Sequence, residues 1–227
     1  MVRPSKLDDT AARERDFAHQ RALMVERHVA ARGVRDERVL QAMREVPRHL
    51  FVPAVVAAKA YGPGALPIGA KQTISQPYIV ARMIELLELT GKEKVLEIGT
   101  GTGYQAVVLS KLCAKVFSIE RINELALRAA ELIRELRINN ATVKVFDGTY
   151  GWSDQAPFDR IIVAASAPQV PEPLVQQLAR TGRMVIPIGS GTNQRLARVT
   201  RVGTGVQIED CGSAEFVPLV GRFGWKE

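Results

Sequence analysis

Apolar residues follow two different periods along this chain, and the change of period separates a helical first part from a mixed second part. Apolar positions recur at helical spacing over residues 10–31 and again after Asp36, which can cap a second helix that Pro47 ends. From residue 91 onward, short apolar runs alternate with amphipathic segments. This alternation predicts a parallel sheet whose strands are joined by helical crossovers.

The predicted elements of the second part share this alternation. We expect strands at residues 95–98, 114–120, 143–148, 158–165 and 182–189, and helices at residues 78–89, 104–112, 122–136 and 171–178. Residues 195–202 and 206–210 alternate enough to form a hairpin, and residues 215–221 predict a further strand at the sheet edge.

Three glycines follow the first strand of this sheet directly. Gly99, Gly101 and Gly103 are spaced by one residue each. Glycine allows positive φ angles and a close approach of the backbone to a ligand, and the free N–H groups of the helix that follows form a seat for a carboxylate or phosphate. Turns of this kind also occur for packing reasons, so both interpretations stay open. A dinucleotide site for hydride transfer prefers G-x-G-x-x-G, and here the third glycine comes one residue early.

Three acids, Glu97, Glu120 and Asp147, lie in register at the carboxyl ends of predicted strands, where ligands of such sheets bind. Glu120 comes roughly 20 residues after the glycines, where a carboxylate can accept both hydroxyls of a ribose. Asp147 can accept from an adenine amino group, while Gly148 leaves room for the ring. The alternatives are a charge that opens the next helix for Glu120 and a simple turn for Asp147 and Gly148.

Residues 60–77 form a segment of another kind. They are rich in Gly and Pro, nearly without charge, and too irregular for a helix or a strand. Apolar loops of this sort are often binding loops. Ser75 lies near the end of the segment, just before Gln-Pro and a helix, which is what an N-cap looks like. From the residues alone, the cap is the favoured interpretation of Ser75.

Composition and charge exclude several classes of protein. A chain of 227 residues can bury one substantial core, no stretch approaches a membrane span, and the polar N-terminus lacks the apolar core of an export signal. We therefore expect a cytoplasmic protein without a membrane partner. The cysteines lie far apart and the three histidines lie outside any cluster, so no metal site is expected. The formal charge of +7 is scattered, which argues against nucleic-acid binding.

Longer motifs resemble one family. The segments LPIGAKQTISQPYIVARM, VLEIGTGTGYQ, FDGTYGW and EFVPLVG occur in the order seen in protein-L-isoaspartate O-methyltransferases, and RGVRDERVLQAMREVPRHLFVP is also similar to theirs. The resemblance covers nearly the whole chain. It departs where the family usually has glycine near Ala70 and Lys71 and an acid in place of part of residues 62–64. These departures concern the shape of the loop more than the activity.

The resemblance implies an α/β fold of the class I methyltransferases: a doubly wound, Rossmann-like, mostly parallel sheet with an N-terminal helical extension and C-terminal antiparallel strands. We expect one catalytic domain over residues 1–227. Residues 1–90 would supply the N-terminal helices and the substrate loop, residues 91–190 the cofactor-binding core, and residues 191–227 the C-terminal strands.

The implied reaction moves a methyl group from S-adenosylmethionine to the α-carboxyl of an L-isoaspartyl residue in an age-damaged protein or peptide. The ester then closes to a succinimide, which reopens partly to normal aspartate. An α-carboxylate has a pKa near 3.5 and is ionised at pH 7, so the reaction needs no general base. By resemblance, Ser75 would position this carboxylate as the catalytic residue, in a substrate site with Thr73 and Ile74. A monomer is expected.

The resemblance also assigns a set of cofactor-binding residues: Glu97, Gly99, Thr100, Gly101, Gly103, Glu120, Asp147 and Gly148. Two alternatives stay open. One keeps the cofactor but changes the acceptor to RNA or a small molecule, which the basic balance of the chain motivates. The other is a binding module that keeps the fold without the cofactor.

Overall fold

The computed structural model describes residues 6–226, in which six α-helices and nine strands occur. The helices are α1 (Lys6–Met24), α2 (Glu37–Glu45), α3 (Pro77–Leu87), α4 (Tyr104–Ser110), α5 (Asn123–Glu135) and α6 (Glu172–Gln176). The strands are β1 (Leu66–Gly69), β2 (Gln72–Ile74), β3 (Lys94–Ile98), β4 (Lys115–Glu120), β5 (Ala141–Val145), β6 (Phe158–Val163), β7 (Leu178–Ser190), β8 (Asn193–Val202) and β9 (Gly205–Ala214).

The main sheet has seven strands in the order β5-β4-β3-β6-β7-β8-β9. Strands β3 to β7 run parallel to their neighbours, while β8 and β9 add antiparallel strands at one side. The strand order reverses direction at β3, between β4 and β6, and such a point is where ligands bind in open α/β sheets. The predicted mostly parallel sheet with C-terminal antiparallel strands is confirmed.

Alternate residues of the strands enter two apolar cores, one on each face of the sheet. In β3, Val95 packs in the larger core with the N-terminal helices and with α4, whereas Leu96 and Ile98 pack in the other core with α6. Burial on both faces explains why the parallel strands are nearly continuous apolar runs. The two cores confirm the doubly wound arrangement.

The N-terminal layer packs on one face of this sheet. Asp36 caps α2 as predicted, since its carboxylate accepts from the N–H groups of Arg38 and Val39. A short 3-10 turn over Arg48–Phe51 follows and is buried. In this turn His49 stacks on Phe17 and bonds the Tyr61 hydroxyl at 2.7 Å, so the ring is a packing residue. None of the helices in the described part of the chain is long and apolar enough to cross a membrane.

Two predictions about local structure were wrong. Residues 60–77 are not irregular throughout, because β1 and β2 form a hairpin within them. Residues 215–221 do not form a strand along the sheet edge. They instead lie beyond the end of β6, where Ser166 and Pro218 form an isolated bridge. Both segments are short and contain Gly and Pro, so their pairing depends on distant partners that the local pattern does not reveal.

Strand bounds differ most at two places. Strand β5 begins and ends earlier than predicted, at Ala141 and Val145. Strand β7 begins at Leu178, where a helix was predicted to end, and its pairing with β6 shifts register between Phe158 and Arg160. The residues of β7 before this register shift form a short extended segment ahead of the predicted apolar strand at residues 182–189.

Candidate active site

A cavity of about 290 Å³ opens at the carboxyl ends of β3 and β4. Four segments contribute most of its lining: the hairpin end at residues 71–75, the glycine turn at residues 99–102, the end of β4 at residues 119–122, and the C-terminal segment at residues 217–220. The cavity therefore brings the predicted substrate loop and the predicted cofactor turn together in one place.

The glycine turn has the backbone that the sequence predicted. Gly99, Gly101 and Gly103 have φ angles of 90°, 55° and 96°, which residues with a Cβ rarely adopt. A Cβ on Gly101 would lie 3.1 Å from Cδ1 of Ile68, and one on Gly103 would lie 3.3 Å from Cβ of Ala129. Gly99 and Gly101 line the cavity, whereas Gly103 lies outside its lining and packs against α5. Within this one turn, Gly99 and Gly101 therefore allow ligand access, whereas Gly103 allows close packing.

Glu120, the last residue of β4, lies next to the glycine turn. Its Oε2 accepts from the N–H of Gly101 at 2.9 Å, and its Oε1 accepts from the N–H of Ile122 at 2.9 Å. The side chain is buried but lines the cavity. Because a carboxylate has about four acceptor positions, both oxygens can accept further bonds from a ligand. Glu120 also lies three residues before the first residue of α5, so the helix-opening interpretation and the ligand interpretation are compatible.

Glu97 lies one layer behind the cavity. It is fully buried, accepts from Nε2 of Gln105 at 3.0 Å, and accepts a short bond from the Ser118 hydroxyl. Burial raises the pKa of Glu97 to about 8, and the negative charge of Glu120 acts in the same direction, so this carboxyl is mostly protonated at pH 7. Glu97 is not in the cavity lining, but its partner Gln105 is.

Thr100 links this buried group to the cavity from the other side. Its hydroxyl lies 2.5 Å from that of Ser118, which in turn donates to Glu97. Thr100 lines the cavity. A continuous chain of hydrogen bonds therefore runs from the cavity wall to the buried acid.

Asp147 faces away from the cavity. Its Oδ1 accepts from the N–H and hydroxyl of Thr149 at 2.9 and 2.7 Å, and its Oδ2 accepts from the N–H of Arg222 at 2.9 Å. Asp147 is not in the cavity lining, whereas its neighbour Gly148 is. A Cβ on Gly148 would collide with Cγ2 of Ile98, so glycine is required here for close packing. The carboxylate of Asp147 anchors the C-terminal segment.

The three acids are staggered and not in register, which corrects the prediction. Glu97 pairs with Ser118, so Glu120 lies two residues further along β4 than the position opposite Glu97. Glu120 in turn pairs with Val145, and Asp147 follows two residues later. Each acid is thus displaced outward from the last: Glu97 lies behind the cavity, Glu120 in its wall and Asp147 beyond it.

The substrate-side residues Thr73, Ile74 and Ser75 all line the cavity, at the end of β2. Ser75 is not the N-cap of α3. That position belongs to Gln76, with Pro77 as the first helical residue, and the Gln76 side chain makes no cap bond. The favoured interpretation of Ser75 from local sequence was therefore wrong, because the helix starts one residue later than a serine cap requires.

Arg48 is a residue of this site that sequence reasoning missed. It is fully buried, and its Nε and Nη2 donate to the carbonyls of Ala60 and Ser75 at 2.9 and 2.7 Å. Its guanidinium carbon lies 4.8 Å from the ring centre of Tyr104, the first residue of α4. Burial lowers the pKa of Arg48. The available signal was a charged residue inside the apolar stretch PRHLFVP.

The C-terminal segment is the second element that was missed. Residues 217–220 line the cavity, and Ser166 holds the segment in place. The N–H of Leu219 and the indole N–H of Trp225 donate to the Ser166 carbonyl at 2.7 and 2.8 Å. Among the described residues, no group of three or more His, Cys, Asp or Glu side chains could hold a metal ion.

The sheet and the cavity at its glycine turn define a Rossmann-like methyltransferase of class I. A family model described as protein-L-isoaspartate(D-aspartate) O-methyltransferase matches residues 19–224. The chain is also 53% identical over 211 residues to the protein-L-isoaspartate O-methyltransferase of Geobacter metallireducens, covering 92% of this chain and 97% of that protein. The chain therefore belongs to the protein-L-isoaspartate(D-aspartate) O-methyltransferase family.

Solved structures agree with this assignment. One protein-L-isoaspartate O-methyltransferase superposes with a TM-score of 0.79 at 26% identity, covering 91% of this chain and 67% of that one. A second, a beta-aspartate methyltransferase from Plasmodium falciparum in complex with S-adenosyl-L-homocysteine, superposes with a TM-score of 0.73 at 26% identity, covering 87% and 96% of the two chains. The resemblance described from the motifs is confirmed.

Proposed function

We propose that this protein is a repair enzyme that moves a methyl group from S-adenosylmethionine to the α-carboxyl of L-isoaspartyl residues in damaged proteins and peptides. The ester then closes to a succinimide, which reopens partly to normal aspartyl. One observation carries the proposal: the strand β2 with Ser75 directly after it and the glycine turn with Glu120 line the same cavity. The relatives named above, one of them a complex with S-adenosyl-L-homocysteine, support it.

The residues around the glycine turn suit an adenosyl cofactor. Positive φ angles at Gly99 and Gly101 let the backbone reach the cavity, where a Cβ on Gly101 would press on Ile68. We assign the ribose hydroxyls to Glu120, which is anchored by two backbone N–H groups yet keeps acceptor positions. Thr100 and Gly148 complete this side of the cavity. When bound, the cofactor supplies a methyl group on a positively charged sulfur.

The remaining cofactor assignments act from outside the lining. Glu97 would support the methionine part of the cofactor through Gln105, which lies between this acid and the cavity. Gly103 would hold α4 close to α5, so that its first N–H groups face the site. The two oxygens of Asp147 already accept from three donors, one of which lies in the C-terminal segment. Asp147 would therefore support the adenine side indirectly, by holding this segment over the cavity.

The substrate side of the cavity works by orientation. An ionised α-carboxylate is already a nucleophile, so what this chain must do is hold it in line with the methyl group. Orientation of two reactants can be worth about 7–11 kcal/mol. We assign this role to the Ser75 hydroxyl, helped by Thr73 and Ile74 in the same strand end. The Arg48 bond to the Ser75 carbonyl fixes the backbone that carries this hydroxyl.

The proposal is tested by methyl transfer to paired peptides that differ only in an isoaspartyl or a normal aspartyl residue. We expect methylation of the isoaspartyl peptide alone, and a fall in kcat/KM of at least about tenfold in Ser75→Ala because a positioning hydrogen bond is lost. Ser190→Ala is the matched control, since Ser190 is exposed and lies outside the cavity lining. Equal activity of Ser75→Ala and wild type would remove Ser75 from the mechanism.

A different result would redirect the proposal. If neither peptide were methylated while S-adenosylhomocysteine still bound, the acceptor would be of another class, with RNA or a small molecule as the next candidates.

Three further expectations belong to the same proposal: one catalytic domain over residues 1–227, a monomer, and a cytoplasmic location. The larger core, which joins the N-terminal helices to the sheet, supports the first. Sedimentation and cell fractionation test the other two.

A further inference from the structure

Lys71 occupies an unusual place at the tip of the substrate hairpin. It joins β1 to β2 together with Ala70, and the two residues have φ angles of 56° and 49°. Two-residue hairpin turns with positive φ at both positions strongly favour Asn-Gly or Gly-Gly, because a Cβ is disfavoured in this conformation. A glycine at position 71 would satisfy the backbone, so what the lysine adds is its side chain.

The side chain of Lys71 brings a positive charge to the cavity. Lys71 is exposed and belongs to the cavity lining. In the part of the chain that the structure describes, no carboxylate lies within ion-pair distance of its ammonium group. Glu120 is the one acid among the described lining residues, and it forms no ion pair with Lys71. The ammonium group of Lys71 is therefore available to a carboxylate of the ligand.

The hairpin sets the distance between this charge and the reacting group. Lys71 precedes Ser75 by four residues, and the intervening residues 72–74 are the strand β2. At roughly 3.3 Å per residue, the two Cα atoms are about 13 Å apart. An extended substrate covers that length in about four residues. A side chain within this reach of the isoaspartyl residue can meet the lysine.

We propose that Lys71 is a specificity-determining residue that favours damaged segments carrying an aspartate or glutamate within about four residues of the isoaspartyl residue. This inference rests on the proposed function, because it places the isoaspartyl carboxyl at Ser75. Attraction between exposed charges of this kind is modest and is screened by salt. It changes the choice among substrates and leaves the methyl transfer itself to the other residues.

The test uses isoaspartyl peptides of one sequence in which Glu, Gln or Lys is placed at successive positions on either side of the damaged residue. We expect KM for the best Glu peptide to be about threefold lower than for its Lys counterpart at low ionic strength, with kcat unchanged. The ratio should approach one in about 0.5 M salt, where the Debye length is only a few ångströms. A purely structural effect of the turn would not respond to salt in this way.

Three variants separate charge from backbone strain. Lys71→Gly removes both the charge and the strain and should abolish the preference, while Lys71→Glu should reverse it. Ala70→Gly relieves the neighbouring strain, keeps the lysine, and should leave the preference as in wild type; Ala70 is outside the cavity lining. Because both glycine variants suit a turn with positive φ, neither is expected to unfold the hairpin.

Two results would overturn the proposal. One is an absence of any Glu-over-Lys preference in wild type. The other is a preference that survives Lys71→Gly, which would assign it to Arg121 in the lining or to the overall positive charge of the chain. The same peptides are also measured by equilibrium binding to the enzyme loaded with S-adenosylhomocysteine. If no isoaspartyl peptide were methylated but the charge preference appeared in binding, the proposed function would fail while the role of Lys71 stood.

Discussion

The cavity has two walls, the glycine turn on the cofactor side and the β1–β2 hairpin on the substrate side. Both contain residues with positive φ, but the residue types differ. On the cofactor side, the tight positions with positive φ are all glycine: Gly99, Gly101 and Gly103. On the substrate side, the hairpin turn also needs positive φ, yet its residues are Ala70 and Lys71. The glycine turn presents bare backbone at Gly99 and Gly101, whereas the hairpin turn accepts strain and presents the side chain of Lys71. We infer that cofactor contact requires bare backbone at these positions, whereas substrate contact uses a side chain.

The walls also differ in their support. The glycine turn follows β3, the middle one of the five parallel strands, and the N–H groups of Gly99 and Thr100 both donate to the Ile119 carbonyl, at 2.8 and 3.3 Å. The hairpin is a separate two-stranded sheet, which is marginal on its own. Among the described residues, the buried side chain that bonds its Ser75 end is Arg48. The cofactor wall is thus fixed by the fold, and the substrate wall by a few contacts.

The largest expected effect comes from giving the cofactor wall a side chain. Gly101→Val places a β-branched residue at a φ of 55° and directs its Cβ toward Ile68. Backbone strain of this kind costs about 1–3 kcal/mol, so we expect affinity for S-adenosylhomocysteine to fall roughly 10- to 100-fold. Isothermal titration measures it. Gly64→Val is the control, because that glycine has open space around it; wild-type affinity in Gly101→Val would contradict the assigned cofactor wall.

A smaller effect should follow from loosening the substrate wall. Arg48→Lys keeps a cation but loses the planar guanidinium, whose separate nitrogens Nε and Nη2 reach the carbonyls of Ala60 and Ser75. We expect kcat/KM for the isoaspartyl peptide to fall about tenfold, with cofactor affinity changed much less. In the Ser75→Ala background, the same substitution should cost almost nothing further, since coupled residues are not additive. Equal losses in both backgrounds would mean that Arg48 acts on the fold in general.

The last expected effect is on folding stability and concerns the acid behind the cofactor wall. The folded-state pKa of Glu97, about 8, exceeds its ordinary value of 4.5. Between these values the unfolded chain has lost a proton that the folded protein keeps, so the contribution of Glu97 to stability is full below pH 4.5 and is lost as pH rises toward 8. Glu97→Gln cannot ionise. We expect its Tm relative to wild type to rise by roughly 10 °C from pH 5 to pH 8.

Calorimetry from pH 5 to pH 8 checks the direction of this change in relative Tm. A difference in Tm between Glu97→Gln and wild type that stays constant from pH 5 to 8 would show that the buried carboxyl does not hold its proton in the folded protein. Glu45→Gln is a suitable control, because the pKa of Glu45 is lowered by its bonds to Lys111 and Gln41 and so shifts in the opposite direction.

The sequence predicted most of the sheet because the inner parallel strands β3, β4 and β6 are buried on both faces, so that their apolar runs are visible without knowledge of their neighbours. The cap at Asp36 was predictable for a similar reason, since its partners lie within three residues. The hairpin at residues 66–74 was not predictable. Its turn uses Ala70 and Lys71 in a conformation that both residues disfavour, and a local pattern therefore points elsewhere.

The sequence predicted which kinds of residue form the site, but not how far each of them lies from the cavity. Acids at strand ends are visible in the sequence, whereas the stagger that separates Glu97, Glu120 and Asp147 depends on the register between strands. Arg48 was hidden for the same reason, since the carbonyls it bonds are 12 and 27 residues away. Local chemistry identifies candidate groups, and long-range pairing decides which of them reach the cavity.

The bonds around Asp147 also bear on the ageing of the enzyme itself. Asp147–Gly148 is the only place in the chain where an aspartate or asparagine precedes glycine, the pairing least hindered for attack of the side chain on the next backbone nitrogen. That attack would convert the enzyme into an example of the damage it repairs. Three donors hold the Asp147 carboxylate, and one of them comes from the C-terminal segment at Arg222. The bond from Arg222 thus ties the C-terminal segment to the residue at which this ageing reaction would begin.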